Sequence, residues 1–244
     1  MNKDNILFAV IGVLLGFIGG FLFANSVNQR GLPPPRSSAS APGAQAPQGS
    51  ALPPDHPPTS SNSTQDINEL SKELKEAVEK AKSEPTNFDA QVAAAKHLYE
   101  NRLYDQAIEY FTRANQLRPD SYETLTNLGN TYFDAGKFDL AEKWYNTALA
   151  KRPNDVNVRT DLGLSFFFRK PPDPDRAIKE FRAALKSDPN HEQTLINLIV
   201  VLSEKGDIQE ARNALAQLER ASPNNSALPK LRDRIEEMAT KKKG

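Results

Sequence analysis

The sequence predicts an all-α fold, a solenoid of stacked helix–turn–helix units, and two observations carry this prediction. First, prolines in short polar turns recur at intervals of 34, 34, 36 and 34 residues: Pro85, Pro119, Pro153, Pro189 and Pro223. Fixed periods of this length are typical of helical repeats. Second, alanines and bulky apolar residues recur four and three residues apart between these prolines, on one face of a helix. The sets are Ala107, Phe111 and Ala114; Ala141, Tyr145 and Ala148; Ala177, Phe181 and Ala184; Ala211, Leu215 and Leu218.

Each unit has another amphipathic stretch upstream of the one just described. In the unit after Pro119 this stretch contains Leu125, Leu128 and Tyr132 at helical spacing. A polar turn with a glycine, such as Lys205-Gly206-Asp207, separates the two stretches in several units, and such residues favour turns. Each unit is therefore predicted to be a helix, a turn, a second helix and a proline turn.

The repeating unit resembles the tetratricopeptide repeat (TPR) family. The unit that begins at Tyr122 has all of the characteristic residue types, in order Gly129, Tyr132, Ala141, Tyr145, Ala148 and Pro153. The resemblance implies a right-handed superhelical solenoid of four units, 88–121, 122–155, 156–191 and 192–224. The third unit fits only with two extra residues in its inter-helix turn, near Pro171 and Pro172. The fourth is degenerate at Ile199 and Leu218, and the usual tryptophan of the first helix is missing throughout.

Both ends of the solenoid need elements with one polar side, because a terminal unit has no further neighbour. Residues 225–244 are predicted to form a C-terminal capping helix, with Leu228, Leu231, Ile235 and Met238 on one face, followed by a basic tail. Residues 66–87 are predicted to form a lead helix that packs on the first unit. The alternative is a short coiled-coil seam, because the apolar residues of that segment step three and four apart.

Residues 1–26 are predicted to form a single transmembrane anchor. Residues 6–24 contain no charged side chain, and a helix of that length spans about 28 Å, close to the apolar thickness of a bilayer. A cleaved secretory signal is the alternative, although its apolar core is usually shorter. Gly12, Gly16 and Gly20 lie four residues apart, which favours self-association of membrane helices; the alternative is that glycine is simply common there.

Residues 27–65 are predicted to be a disordered linker, because they are rich in Pro, Ser and Ala and lack aromatic residues. The charges that flank the anchor do not settle its orientation. We expect a single-pass protein of a bacterial inner membrane, with the repeats outside the cytoplasm. The alternatives are cytoplasmic repeats, or secretion after signal cleavage.

Composition and motifs argue against several classes of function. Lys plus Arg and Asp plus Glu are equal at 31 each, so no net field favours nucleic acid. The chain has no cysteine, its three histidines are far apart, and it lacks the common nucleotide-binding, hydrolase and metalloprotease motifs. The sequence therefore predicts no catalytic residues, no metal site, no cofactor and no enzymatic activity.

The resemblance implies that a partner segment binds in a concave groove lined by the first helix of each unit. The implied groove residues are Lys96, Tyr99, Asn127, Asn130, Phe133, Leu164, Phe167, Phe168, Ile196, Asn197 and Val200, with Asp161 and Glu204 also at groove positions. Asparagine can bond to a partner backbone, and the apolar members would form a patch for side chains. The alternative is that some of these residues pack on the capping helix or on each other. The basic residues that clamp a carboxylate terminus in some family members are missing, since Asp161 stands at one such position.

Two hypotheses of function follow. The first is a membrane-tethered scaffold that binds a protein or peptide partner, for envelope assembly, secretion or cytochrome maturation. The second is a structural spacer whose anchor and lead helix form a homo-oligomer, with no dedicated peptide groove.

Overall fold

The computed structural model describes residues 71–241, and in this range the chain is all α-helical, which confirms the predicted class. The anchor (1–26), the linker (27–65), the start of the lead helix and the last three residues lie outside the described residues. The helices are α1 (Lys72–Ser83), α2 (Phe88–Glu100), α3 (Tyr104–Leu117), α4 (Tyr122–Asp134), α5 (Phe138–Lys151), α6 (Val156–Phe168), α7 (Pro174–Ser187), α8 (Glu192–Lys205), α9 (Ile208–Ala221) and α10 (Leu228–Lys241).

The proline turns end with residues that cap the next helix. After four of the prolines, the side chain two residues further on accepts a hydrogen bond from a backbone N–H of the next helix's first turn, as Asn87 Oδ1 does from Ala90 (3.1 Å) and Asp155 Oδ1 from Val158 (3.0 Å). Ser121 and His191 cap α4 and α8 in the same way. Such caps satisfy amide groups that have no partner within the helix. The repeating segment therefore contains both a proline turn, which ends one helix, and a capping side chain, which begins the next.

Close helix pairing within each unit explains the recurring alanines and glycines. Ala107, Ala141, Ala177 and Ala211 are all fully buried. A Cβ atom at Gly129 would lie 2.5 Å from the Tyr145 ring. A Cβ atom at Gly163 would lie at the same distance from the Phe181 ring. The first helix can therefore approach the second only because these positions have no side chain.

Each helix packs on its neighbours in the chain, and first helices of successive units also contact each other, α4 with α6 and α6 with α8. At the N-terminal end of the described range, α1 buries Leu74, Val78 and Ala81 against α2. At the other end, α10 contacts both α8 and α9 and buries Leu228, Leu231 and Ile235. No helix within residues 71–241 is long and apolar enough to cross a membrane.

The third unit has its extra residues between its helices, at 169–173. α6 ends at Phe168, and Pro174 opens α7, a position where the missing amide hydrogen costs nothing. Asp173 caps α7 by accepting from the Arg176 amide (3.0 Å). Phe166 and Phe181 remain buried on either side of this turn. The longer connection therefore leaves the pairing of α6 with α7 intact.

Candidate functional site

The predicted groove residues lie on the first helices α2, α4, α6 and α8. Their positions divide into a buried group and a partly exposed group. The buried group comprises Leu164 (1% exposed), Ile196 (9%), Asn197 (1%) and Val200 (6%). These four side chains are not available to a partner in this structure. The predicted apolar patch across the third and fourth units is therefore much smaller than the resemblance implied.

The burial of α8 has a simple cause. The helix packs against α7, α9, α6 and the capping helix α10, and its residues from Gln193 to Ser203 are all buried. A helix that is apolar on every side is a core helix. The first helix of the fourth unit, α8, is therefore part of the core and does not extend the groove. The capping helix α10 is one of the helices packed against it.

The accessible groove residues lie on α2, α4 and α6, and they are Lys96, Tyr99, Asn127, Asn130, Phe133, Phe167 and Phe168. Lys96 Nζ pairs with Glu123 Oε1 at 2.6 Å, so it joins α2 to α4. Asn130 Oδ1 accepts from the Tyr145 hydroxyl at 3.0 Å. Asn127 Nδ2 is buried and has no hydrogen-bond partner within residues 71–241. Asn127 is therefore the groove asparagine with a buried, unpaired donor.

Four phenylalanines meet where α4 and α6 end and α5 begins. The Phe133 ring lies 5.3 Å from Phe138 and 6.0 Å from Phe168, and Phe167 lies 5.1 Å from Phe168. All four rings are partly exposed. We call Phe133, Phe138, Phe167 and Phe168 the phenylalanine cluster. Phe138 is not among the predicted groove residues, because it belongs to a second helix and the resemblance assigns groove positions only to first helices.

Three carboxylates lie on α4 and α6 or at their ends, and two of them have donors. Asp134, the last residue of α4, accepts a hydrogen bond from the Tyr99 hydroxyl. Asp155 accepts from the Tyr122 hydroxyl at 2.6 Å and caps α6. The side chain of Asp161 makes no hydrogen bond or ion pair with any residue in the range 71–241, although it is half-buried on α6. Asp134, which follows Phe133 at the end of the same helix, is not among the predicted groove residues.

The pKa values of these groups reflect their surroundings. Burial raises the pKa of Asp161 to about 7, and the charges of Asp134 and then Asp155 act in the same direction. Burial also raises the pKa of Asp134, while the Tyr99 hydrogen bond and the Arg102 charge lower it. Burial and the neighbouring carboxylate of Asp134 raise the pKa of Tyr99, which keeps its hydroxyl a donor. The groove surface is therefore polar and acidic beside the aromatic rings.

No group of three or more histidine, aspartate or glutamate side chains in the part of the chain that the structure describes could hold a metal ion. The geometry offers hydrogen-bonding groups, two neighbouring carboxylates and exposed aromatic rings. Such an array can bind a side chain and a backbone, as interaction surfaces do.

Stacked helix pairs that carry such a surface are typical of helical-repeat proteins that bind other proteins. The tetratricopeptide repeat family pattern matches residues 98–160 and 173–235, together just over half of the 244 residues. The chain belongs to the tetratricopeptide repeat family. This fold is typically a non-catalytic scaffold for protein interaction.

The curated relatives match this chain over a minor part of their own length. Tetratricopeptide repeat protein 8 of Caenorhabditis elegans is 28% identical over 131 residues, which are 54% of this chain and 26% of that protein. Protein O-mannosyl-transferase Tmtc3 of Drosophila melanogaster is 30% identical over 120 residues, 49% of this chain and 13% of that protein. The chain thus spans about a quarter or less of the length of these relatives.

Two solved structures show the same fold. MamA from Desulfovibrio magneticus RS-1 superposes with a TM-score of 0.57 at 18% identity, over 63% of this chain and 85% of that chain. YrrB, described as a TPR protein with an unusual peptide-binding site, superposes with a TM-score of 0.58 at 19% identity, over 68% and 85%.

Proposed function

We propose that this protein is a membrane-tethered scaffold that binds a partner protein segment against the accessible groove of α2, α4 and α6. The observation that carries the proposal is the phenylalanine cluster, four partly exposed rings on the side where the first helices meet. Exposed aromatic rings grouped in this way are uncommon on a surface that binds nothing, and aromatic side chains dominate the energetics of interfaces.

The hydrogen-bonding groups beside the cluster support the same function. The free Nδ2 donor of Asn127 is buried on α4, where an unused amide hydrogen costs free energy until it is bonded. The partly exposed side chains of Tyr99, Asn127 and Asn130 add polar groups to the same face. The proposed binding surface therefore comprises Tyr99, Asn127, Asn130, Phe133, Phe167 and Phe168, and it extends to Phe138.

Selection of peptides on the full-length chain tests this function. Random twelve-residue peptides displayed on phage are selected on the wild-type protein and then measured on Phe167→Ala. We expect a loss of about 1–3 kcal/mol of binding free energy, as for a central aromatic anchor. Leu140→Ala is the matched control, because Leu140 is an exposed apolar residue (44%) on the second helix α5. Equal affinities for both variants, or no selected peptide, would contradict a groove function.

The tether is the other part of the proposal, and residues 6–24 are its basis. We place the protein in a bacterial inner membrane with the repeats outside the cytoplasm, in envelope assembly, secretion or cytochrome maturation. The chain has no native cysteine, so a single introduced thiol reports topology. We expect a membrane-impermeant maleimide to label Ser50→Cys in intact cells and Asn2→Cys only after lysis. The reverse pattern would place the repeats in the cytoplasm, and recovery of Ser50→Cys in the medium would indicate cleavage.

Self-association of the tether is a separate proposal, supported by Gly12, Gly16 and Gly20. Crosslinking of the full-length chain in membranes should give dimers that Gly16→Leu abolishes, since close helix approach needs small residues. Unchanged dimer yield in that variant would show that the glycines do not form an interface.

A further inference from the structure

Two carboxylates, Asp134 and Asp161, lie on the adjacent helices α4 and α6 beside the phenylalanine cluster. Too few basic side chains lie near them to balance their charge. Asp161 and Phe168 are seven residues apart on α6, so they lie on one side of the helix about 10 Å apart along its axis. On α4, Asn127 and Asp134 have the same separation. The two helices are in contact. Each therefore presents a carboxylate and a polar or aromatic group to the same groove.

Three basic residues near this groove are engaged with other carboxylates. Lys96 pairs with Glu123 at 2.6 Å. Arg159 pairs with Glu180 on α7 at 2.7 Å, and Arg169 lies 3.4 Å from both Asp139 and Glu142 on α5. Arg102 is exposed in the turn after α2 and has no ion pair within residues 71–241; its charge lowers the pKa of Asp134 and does not offset the raised pKa of Asp161.

Asp161 is the carboxylate of this groove with the fewest favourable partners. Within residues 71–241 its side chain has neither a hydrogen-bond donor nor an ion-pair partner. The titratable groups that face it are Asp134 on α4, Asp155 at the start of α6, Tyr99 on α2 and Tyr145 on α5. All of them are acids, and none supplies a positive charge. A half-buried carboxylate in such surroundings is stabilised when a cation is brought to it.

We propose that the bound partner segment presents a basic side chain, arginine or lysine, that pairs with Asp161 and Asp134 while its aliphatic stem packs on the phenylalanine cluster. The charges of the groove match this occupant. The aromatic faces of Phe133 and Phe168 suit it as well, because long basic side chains lay their methylene groups on apolar surfaces and their charges over rings. A partner that presents a carboxylate would instead meet like charges. This inference rests on the proposed function and specifies the chemistry of its partner.

The peptides selected on the full-length chain provide the test. We expect them to be enriched in arginine or lysine. Replacing that residue by norleucine, which keeps the stem and removes the charge, should weaken binding by about tenfold, as should Asp161→Asn. The two changes together should cost little more than either alone, because they remove the same interaction. Asp134→Asn is expected to weaken binding in the same direction, and Asp233→Asn, an exposed aspartate on α10, is the matched control that should leave it unchanged.

The pH dependence of binding gives a second readout. Asp161 must be ionised to pair with a cation, so affinity for the basic peptide should rise by up to about tenfold between about pH 6 and about pH 8. Asp161→Asn should remove most of that dependence, and the norleucine peptide should show little of it.

The outcomes separate the two proposals. Selected peptides without basic enrichment, or additive effects of norleucine and Asp161→Asn, would overturn the inference of a basic side chain. The groove function would still stand if those peptides lost affinity on Phe167→Ala. Peptides that bind Phe167→Ala as well as the wild type would overturn both.

Discussion

Replacement of Asp161 by asparagine should stabilise the folded repeats at high pH, which is unusual for a change in the interior of a groove. The wild-type carboxyl has a pKa raised from 3.8 to about 7 by burial and by its acidic neighbours. In the folded state it therefore holds its proton up to a higher pH than it does in the unfolded chain. The unfolding free energy must then fall as the pH rises from about 4 through about 7, and stay low above that.

The size of the effect follows from the same numbers. A rise from 3.8 to about 7 corresponds to about 4 kcal/mol if nothing relaxes. The side chain is only half-buried, so solvent reduces this to about 1–2 kcal/mol. Asparagine keeps the shape and never ionises. We therefore expect Asp161→Asn to be more stable than the wild type by about 1–2 kcal/mol near pH 8 and about equal to it near pH 4.

Urea denaturation of the full-length chain between about pH 4 and about pH 8 measures this difference. The chain has one tryptophan, Trp144 on α5, half-buried in the repeats, so its fluorescence reports their unfolding. Asp233→Asn is the control and should follow the wild type at every pH. A constant difference between Asp161→Asn and the wild type would refute the reasoning, as would destabilisation that grows with pH. Either result would mean that the ionised carboxylate has favourable partners in the folded state.

Three further predictions concern the fold. Gly129→Ala should lower the unfolding free energy by about 1–3 kcal/mol, because its Cβ would lie 2.5 Å from the buried Tyr145 ring. This loss should exceed the gain in helix propensity, which is up to about 1 kcal/mol. If urea denaturation showed a higher unfolding free energy instead, the two helices would be able to separate enough to accept the methyl group. Phe166→Ala should cost about 3–5 kcal/mol in the same assay, since Phe166 is 2% exposed, whereas the partly exposed Phe167→Ala should cost much less; equal costs would place Phe167 in the core. Residues 66–244 alone should give a helical circular dichroism spectrum, because every described helix packs on other helices of the solenoid, and a coil spectrum would contradict an independent repeat domain.

Much of the fold follows from local signals in the sequence. The proline turns carry their own helix caps, such as Asn87 and Asp155, and the small residues that permit close pairing recur with them, such as Ala141 and Gly129. These signals act within one unit, so a single sequence is enough to recognise them. The extra residues of the third unit could be placed for the same reason, because Pro171, Pro172 and Pro174 are poorly compatible with a helix interior.

The groove was harder to predict, because exposure depends on which neighbour covers a helix. Ile196 and Val200 stand at groove positions of α8, yet both are buried, and α8 packs against four other helices. A local signal did exist: the run from Leu198 to Leu202 is continuously apolar, which is typical of a buried helix. The pairing of Tyr99 with Asp134 across two units could not be read from the sequence, because it depends on how far successive helices are offset.

Site-specific photocrosslinking tests the central claim, that the accessible groove holds a partner segment, most directly. p-Benzoylphenylalanine is introduced in the full-length chain at Phe168 in the phenylalanine cluster or at Leu140 on α5, and each protein is irradiated with a selected peptide. We predict a covalent adduct from position 168 that excess unlabelled peptide abolishes, and none from position 140. Adducts of equal yield at both positions, or an adduct from position 140 alone, would contradict the claim.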